Sequence, residues 1–181
     1  MMSATTDALA SLFQRFLQAT QEATGELPTL CSDPDLPSPC FVDEVEDKEG
    51  DKHWQPFKRD DLGDFSNVEE AIECVLDESV KAFYQSYFCD SLALNFAGHS
   101  FDLIQVWNEQ DFKGLQQNMI GHIVMKKRLG QKITLFIGCI DDDTIISVNN
   151  ETGQVVVEKV GCEPHKVLAE TLPDFLNALT V

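Results

Sequence analysis

Positive charge is what this sequence lacks most. It has 13 lysines and arginines against 31 aspartates and glutamates, which gives a formal net charge of -18 at pH 7. Nucleic-acid binding depends largely on basic side chains that neutralise phosphates, so this composition excludes that class of function. The anionic inner leaflet of a membrane repels the chain for the same reason. The charge favours cationic partners: a basic protein surface, a basic peptide loop or a metal ion.

Long apolar runs are also missing. No stretch approaches the ~20 residues that a membrane span requires, and the N-terminal MMSATTDALASLF has neither the basic flank nor the apolar core of a signal peptide. The six cysteines are widely spaced, no CxxC occurs, and several lie in apolar segments. The sequence therefore predicts a cytosolic protein with reduced thiols that does not insert into lipid.

The common catalytic signatures are absent as well. The chain contains no GxSxG, HExxH, GxxxxGK or GxGxxG, and its four histidines lie far apart in sequence. His122 has apolar neighbours on a predicted helix and is interpreted as a structural histidine. Catalytic groups can still converge from distant positions, so an enzyme acting on cationic peptides stays open as an alternative. We expect no catalytic residue, no cofactor and no enzymatic activity.

The most acidic stretch, VDEVEDKEGD at 42–51, raises the question of a calcium loop, since six of its ten residues are acidic. An EF-hand needs oxygen ligands at positions 1, 3 and 5, glycine at 6 and glutamate at 12. Placing Gly50 at the glycine position puts Val45 first and Pro56 last. The triplet at 141–143 has carboxylates but no glycine or distant glutamate in register. We therefore predict no metal site in either stretch.

Apolar periodicity predicts four helical regions. The first ends at Gly25, the second starts near Ser66 with a capping box to Glu69, the third has an Asn108 cap with Asp111 at the reciprocal position, and the last has a Thr171 cap. The basic triplet at 126–128 is explained by the carbonyl end of the third helix. The inner face of the second region and its continuation comprises Val68, Ala71, Ile72, Val75, Leu76, Val80, Phe83, Tyr84, Tyr87 and Phe88.

Strands are predicted between these helices. Residues 91–107 indicate a hairpin that turns at AGH, and ITLFIGCI is apolar on both faces, as a central strand is. TIISVNN and VVVEKV continue from it as a meander, and Cys40–Val45 can start a further strand. The order of elements predicts an α+β fold, a single domain over residues 1–181 with a mainly antiparallel sheet packed by helices.

The acidic residues are unevenly distributed along the chain. Residues 31–65 hold eleven acidic and four basic residues, whereas residues 91–130 hold three and four. Two interpretations stay open: a solubilising surface, or several clusters that meet in one concave negative face. Trp54 and Trp107 lie beside acidic segments and are candidate interface anchors whose rings accept lysine or arginine. Either tryptophan could equally be half-buried core.

Several strings of the chain together resemble the Syd family. They are LPSPC at 36–40, WQP at 54–56, AFYQSYF at 82–88, LIQVWNEQDF at 103–112, NMIGHIVMKKRL at 118–129, TLFIG at 134–138, ISVNNETG at 146–153 and FLNAL at 175–179. The resemblance spans nearly the whole chain, and LPSPC and NMIGHIVMKKRL are its most specific pieces. Syd proteins are the SecY-interacting proteins of Gram-negative bacteria and belong to the SUKH superfamily.

This resemblance implies a fold and a function. SUKH members share an α+β fold with no general catalytic activity. Syd proteins bind cytosolic loops of SecY, the translocon channel, through a concave electronegative groove, and associate loosely with the cytoplasmic side of the inner membrane. They monitor, sequester or negatively regulate SecY that is uncomplexed or misassembled. Other SUKH members neutralise toxins, so an immunity protein against a cationic toxin is the alternative function.

The acidic composition and the implied partner are physically compatible, because cytoplasmic loops of membrane proteins are enriched in lysine and arginine. We expect a monomer whose acidic clusters line a groove for these loops. The stretch Val45–His53 is longer and more acidic than the resemblance predicts. The residues predicted to bind the partner are Asp43, Glu44, Glu46, Asp47, Trp54, Trp107, Glu109, Asp111, Asp141, Asp142, Asp143 and Asn149.

Overall fold

The computed structural model describes residues 2–181, which form five α-helices and ten β-strands. The helices are α1 (Ala4–Thr24), α2 (Ser66–Ile72), α3 (Glu78–Gln85), α4 (Glu109–Arg128) and α5 (Leu172–Ala178). The strands are β1 (Thr29–Cys31), β2 (Asp51–His53), β3 (Phe57–Lys58), β4 (Tyr87–Phe88), β5 (Leu92–Phe96), β6 (His99–Leu103), β7 (Thr134–Cys139), β8 (Thr144–Asn149), β9 (Val155–Lys159) and β10 (Lys166–Ala169).

Six of the strands form one sheet in the order β10-β9-β8-β7-β6-β5, in which every neighbouring pair is antiparallel. Two short antiparallel pairs, β1 with β2 and β3 with β4, lie outside it. The predicted α+β fold with a mainly antiparallel sheet is therefore confirmed. None of the helices in residues 2–181 combines the length and apolar character needed to cross a bilayer.

The main core forms where α1, α3 and α5 pack together with the sheet. Leu9 and Leu12 of α1, Phe83 of α3 and Phe175 of α5 are almost fully buried, and each such side chain contributes about 1.5–3 kcal/mol on burial. The hydroxyl of Tyr84 donates to the Phe136 carbonyl at 2.8 Å, which ties α3 to β7. The helix α4 packs separately, against β7 and α2.

Local signals placed several element ends correctly. Gly25 ends α1 in the left-handed region with φ of 81°, and the β5–β6 hairpin turns through Ala97 and Gly98, whose φ values of 48° and 83° suit a type I′ turn. Asn108 caps α4 by accepting from the Asp111 N–H at 2.8 Å. The reciprocal bond differs from the prediction, because Asp111 accepts from the N–H of Trp107 and not from that of Asn108.

The capping box predicted at Ser66 is wrong. Ser66 is already helical, and its backbone N–H donates to the Asp64 carboxylate at 2.9 Å. The Glu69 carboxylate instead accepts from the Leu76 N–H at 2.8 Å and pairs with Lys81 at 3.1 Å. The Leu76 N–H and Lys81 therefore take the place of the predicted backbone donor at the start of α2. Glu69 stabilises the loop between α2 and α3 instead of capping α2.

The second helical region is also broken where the sequence predicted one continuous helix. The helix α2 ends at Ile72, and α3 starts after Asp77, whose carboxylate accepts from the Ser79 N–H at 2.9 Å. The break changes the phase of the apolar pattern. Ala71 and Val75 are consequently exposed instead of facing inward.

Two predictions about strands are wrong for a related reason. Tyr87 and Phe88 form β4 and pair with β3 instead of continuing a helix. Within the described residues, Cys40–Val45 contributes one isolated bridge, from Phe41 to Trp54, and no strand. The strand in this region is Asp51–His53, which pairs with β1. Such short pairs are set by the partner strand and leave little periodicity in the sequence.

A buried ion pair fixes α4 to the sheet. Lys126 and Glu158 are both 0% exposed, and the Lys126 Nζ lies 3.1 Å from the Glu158 carboxylate and donates to the Cys162 carbonyl at 2.6 Å. The Thr134 hydroxyl donates to Glu158 at 2.9 Å and lies 3.0 Å from His122 Nε2. Lys126 is therefore a core residue, which the helix-end explanation of the basic triplet did not predict.

Protonation in this network follows from burial. Burial, with the Lys126 charge, lowers the pKa of His122 to about 4, so that His122 is neutral at pH 7 and structural, as predicted. Burial raises the pKa of Glu158, but the Thr134 hydroxyl and Lys126 oppose that rise. Glu158 thus depends on Lys126 to remain a carboxylate in the interior.

Removing Lys126 alone should therefore destabilise the fold strongly. Lys126→Met leaves Glu158 buried without a cation, and we expect the free energy of unfolding in urea to fall by about 3–5 kcal/mol. The double variant Lys126→Met/Glu158→Leu should recover most of this loss, because no buried charge remains. Lys132→Met, at an exposed lysine, is the control and should change stability by less than about 0.5 kcal/mol. A double variant as unstable as Lys126→Met would contradict the argument.

Candidate functional site

A hollow of about 410 Å³ opens beside the N-terminal end of α4. Residues between Leu30 and Phe41 form one side of the hollow, and residues at the start of α4 form another. Asp90, two residues after the end of β4, forms the third. We call this cavity the acidic hollow. Its carboxylates are Asp33, Asp90 and Asp111, and its main apolar residues are Leu30, Leu36, Phe41 and Trp107.

One side of the acidic hollow is a proline-rich strap, residues 33–40. The Ser38 hydroxyl donates to the Trp107 carbonyl at 2.6 Å, and the Trp107 indole N–H donates to the Leu36 carbonyl at 3.2 Å. The Asn108 amide donates to the Pro37 carbonyl at 2.8 Å. Three bonds therefore hold the strap against the start of α4, and its prolines restrict the backbone between them.

A chain of four aromatic rings ends at the acidic hollow, which its members Trp107 and Phe41 line. Phe16 of α1 stacks on Trp54 at 5.8 Å between ring centroids, Trp54 meets Trp107 edge to face at 5.7 Å, and Trp107 meets Phe41 edge to face at 5.1 Å. Trp54 is only 3% exposed, so it cannot contact a partner directly, contrary to the prediction. Because Trp54 packs on Trp107, it instead supports the ring that does line the acidic hollow.

Each of the three carboxylates of the acidic hollow accepts one hydrogen bond from a backbone N–H group. Asp33 accepts from the Asp35 N–H at 2.9 Å, Asp90 from the Ser91 N–H at 2.9 Å and Asp111 from the Trp107 N–H at 2.8 Å. Burial raises the pKa of Asp90, the Ser91 bond opposes the rise, and the charge of Asp111 adds to it. Among residues 2–181, no lysine, arginine or histidine lines the hollow.

Glu109, at the start of α4, belongs to a different arrangement. Its carboxylate pairs with the Arg59 guanidinium at 2.8 Å. Arg59 is 7% exposed and lies between the rings of Phe88 and Phe112, at 4.3 and 4.8 Å from their centroids. Glu109 therefore has a cation within the fold, but its side chain is 57% exposed, so the predicted contact with a partner stays a prediction.

The acidic loop, residues 42–51, lies next to the hollow but does not line it. Asp43 accepts from the backbone N–H of His53 at 2.8 Å and lies 2.7 Å from its Nδ1, while Glu26 lies 3.1 Å from its Nε2. These contacts fasten the loop to the end of α1. Lys52, in β2, places its Nζ 5.6 Å from the centroid of the Phe41 ring, where the loop and the hollow meet.

Within the acidic loop, Asp47 organises a tight turn. Its carboxylate accepts from the backbone N–H groups of Glu49 and Asp51, both at 2.8 Å, and these bonds lower the pKa of Asp47. Carboxylate oxygens of Asp47, Glu49 and Asp51 lie within 4.8 Å of one another. Glu44 and Glu46 are exposed to solvent. The loop is therefore a dense negative surface at the edge of the acidic hollow.

Nearly the whole chain is similar to one protein family. The family model described as "Syd protein (SUKH-2)" matches residues 6–180. Proteins named Protein Syd are similar over most of the chain. The one from Tolumonas auensis is 37% identical, covering 96% of this chain and 88% of its own length. Those from Pseudoalteromonas atlantica and Shewanella pealeana are 36% and 41% identical, covering 99% and 96% of this chain and 97% and 81% of their own lengths.

The chain belongs to the Syd family. This confirms the resemblance that the sequence motifs indicated. In this Syd-family chain, LPSPC forms the strap and LIQVWNEQDF carries Trp107 and Asp111, so both strings bound the acidic hollow.

Some predicted partner-binding residues of this Syd-family chain lie far from the hollow. The residues Asp141–Asp143 turn between β7 and β8. Because β7 is antiparallel to β6, this turn lies toward the start of β6, whereas Trp107 follows the end of β6. Asn149 is 7% exposed, and its side chain accepts from the Glu151 and Thr152 N–H groups. Asn149 therefore shapes the β8–β9 turn.

Two carboxylates of the hollow escaped the sequence reasoning. Asp33 lies in the strap, between prolines, and Asp90 is a single acid after the buried residues Phe88 and Cys89. Neither belongs to a conspicuous acidic run. The one local signal for Asp90 was that it directly follows the apolar segment that ends at Cys89. An ionisable residue at the end of an apolar segment lies at the boundary of the core.

The His53 contacts predict a measurable pH effect. The carboxylates of Glu26 and Asp43 accept hydrogen bonds from the protonated His53 ring, and this raises the pKa of His53 above its usual value of 6.5. Protonated His53 thus favours the fold, and that stabilisation is complete below the unfolded-state pKa and is lost as the pH rises through the folded-state pKa. An NMR titration of the His53 ring should give a midpoint above 6.5. Asp43→Asn should lower that midpoint, whereas Asp142→Asn should not; an unchanged midpoint in Asp43→Asn would contradict the assignment.

Proposed function

We propose that this Syd-family protein binds basic cytosolic loops of SecY through the acidic hollow, without catalysing a reaction. By holding these loops it monitors, sequesters or negatively regulates SecY that is uncomplexed or misassembled. It acts as a monomer, and nucleic acid is not a partner. The observation that carries the proposal is a cavity with three carboxylates, an aromatic wall and no lining cation in the described chain.

The electrostatics support a loose, peripheral association with the cytoplasmic side of the inner membrane. Anionic lipid repels a protein of net charge -18, whereas the cytosolic loops of a membrane protein carry excess lysine and arginine. Binding therefore requires that local attraction to the loops exceed repulsion by the lipid. Such a complex forms rapidly and weakens as salt screens the charges.

The proposed surface differs from the one predicted from sequence. Trp107 and Asp111 remain direct contacts, and Asp33 and Asp90 join them. The acidic loop, with Asp43, Glu44, Glu46 and Asp47, steers basic loops toward the hollow. Trp54 and Asn149 have supporting roles, and Glu109 is matched by Arg59. The residues Asp141–Asp143 contribute only to net charge.

Removing the charges of the hollow should weaken binding to SecY. The triple variant Asp33→Asn/Asp90→Asn/Asp111→Asn keeps the hydrogen-bond acceptors but loses three charges. Each contact to a basic loop is worth about 0.2–1 kcal/mol, so the loss of three contacts should weaken binding by about three- to 150-fold. The measurement is co-sedimentation with membrane vesicles that contain excess SecY, over a salt series.

A matched control separates the hollow from net charge. Asp141→Asn/Asp142→Asn/Asp143→Asn removes the same number of charges at the other end of the sheet, and binding should change by less than about threefold. Vesicles without added SecY should bind neither the wild-type protein nor either triple variant. Equal losses in the two triple variants would refute the hollow as the binding site, and binding that ignores both SecY and salt would refute the function.

A further inference from the structure

Asp90 is the one hollow carboxylate at the boundary of the core, and it has no cation. Its residue is half-buried, and among residues 2–181 no lysine, arginine or histidine nitrogen lies within 4.0 Å of its carboxylate. The fold treats the fully buried carboxylate of Glu158 differently, because the Lys126 Nζ lies 3.1 Å from it. A partly desolvated carboxylate without a counterion is unfavourable, so a cation from a partner would relieve it.

The ring of Phe41, which lines the same cavity as Asp90, is already within reach of an ammonium group of the chain itself. The Nζ of Lys52 lies 5.6 Å from its centroid, within the range of a cation–π contact. Trp107 is held edge to face against Phe41 and bonded to the strap, so the two rings keep their orientation. The aliphatic residues Leu30 and Leu36 line the same cavity and can pack along the methylene stem of a lysine.

The placement of the carboxylates favours lysine over arginine. Asp33 comes from the strap, Asp90 from the end of β4 and Asp111 from the first turn of α4, so they approach the cavity from three elements. One oxygen of each accepts a backbone N–H, and the other accepts no hydrogen bond from the described residues. An ammonium donates in three directions, whereas a guanidinium prefers one coplanar carboxylate.

We propose that the acidic hollow is a socket for a single lysine side chain of the partner, with Asp90 as its anchor and Phe41 and Trp107 as its walls. This inference rests on the proposed function for the identity of the partner, but the socket itself can be tested without SecY. The three carboxylates then contribute unequally to the binding free energy of the lysine. Asp90 fixes the ammonium group, whereas Asp33 and Asp111 mainly attract it.

The first experiment uses a defined probe. A blocked Gly/Ser peptide with one central lysine is titrated into the ¹⁵N-labelled protein, and the indole N–H signals of the two tryptophans are followed by NMR. The Trp107 signal should shift saturably, with a dissociation constant on the order of 1 mM. The same peptide with norleucine should not shift it, and the arginine peptide should bind at least about threefold more weakly.

The second experiment compares three isosteric single variants. Asp90→Asn should weaken binding of the lysine peptide, and of SecY vesicles, by about tenfold, because it removes the partly buried member of the pair. Asp33→Asn and Asp111→Asn should each weaken binding by about two- to fourfold, as exposed pairs do. The loss in Asp90→Asn should also persist at higher salt than the other two losses. Asp142→Asn is the control and should bind like the wild type.

Stability distinguishes loss of the anchor from loss of the fold. Because the folded-state pKa of Asp90 is raised, its ionisation opposes folding increasingly as the pH rises from the unfolded-state pKa, and the full penalty is present above the folded-state pKa. Asp90→Asn removes the opposition, so its urea midpoint at pH 7 should be equal to or higher than that of the wild type. A variant that is at least as stable but binds less well supports the anchor, and a lower midpoint argues against it.

The outcomes separate the socket from the proposed function. An arginine peptide that binds as well as the lysine peptide, or equal losses in the three single variants, would overturn the lysine socket even if the triple variant releases SecY. A saturable lysine-peptide shift that Asp90→Asn abolishes would support the socket even if SecY vesicles bind the triple variant normally. That second result would overturn the function and leave the socket.

Discussion

The use of positive charge inside the fold is the constraint on which the rest of this structure depends. The chain has only 13 lysines and arginines, and two of them are buried and engaged within the fold: Lys126 pairs with Glu158 and Arg59 pairs with Glu109. Each such contact removes a cation from the surface. No lysine, arginine or histidine of residues 2–181 lines the hollow, so its three carboxylates have no cation within the cavity.

The helix α4 connects the buried ion pair to the hollow. Lys126, near its C-terminal end, is fixed under the sheet by Glu158, while Asp111 and the preceding Trp107 stand at its other end. A helix of 20 residues extends about 30 Å. One rigid element therefore fixes the distance between the buried ion pair and the acidic hollow. The hydrogen bond from Ser38 of the strap and the packing of the Trp54 ring then fix the position of Trp107.

Sequence patterns predicted what depends on local periodicity and missed what depends on distant partners. The helix α4, its Asn108 cap and the β5–β6 hairpin follow from spacing within about ten residues, and they were predicted correctly. The short strands β1 to β4 exist only because remote segments pair with them. The acidic hollow follows the same rule, since Asp33, Asp90 and Asp111 meet only after the chain has folded. The burial of Trp54 could not be deduced either, because half-buried core and exposed anchor share the same sequence context.

The strap has a consequence for how binding energy is used. Its carbonyls at Leu36 and Pro37 and its hydroxyl at Ser38 are bonded to the start of α4 in the free protein, so this wall is preorganised. A flexible loop that docks there must surrender its own conformational freedom, but the receptor surrenders almost none. In the proposed complex, most of the ordering entropy would therefore fall on the partner loop, and a loop that another subunit already holds in a different shape would bind less favourably.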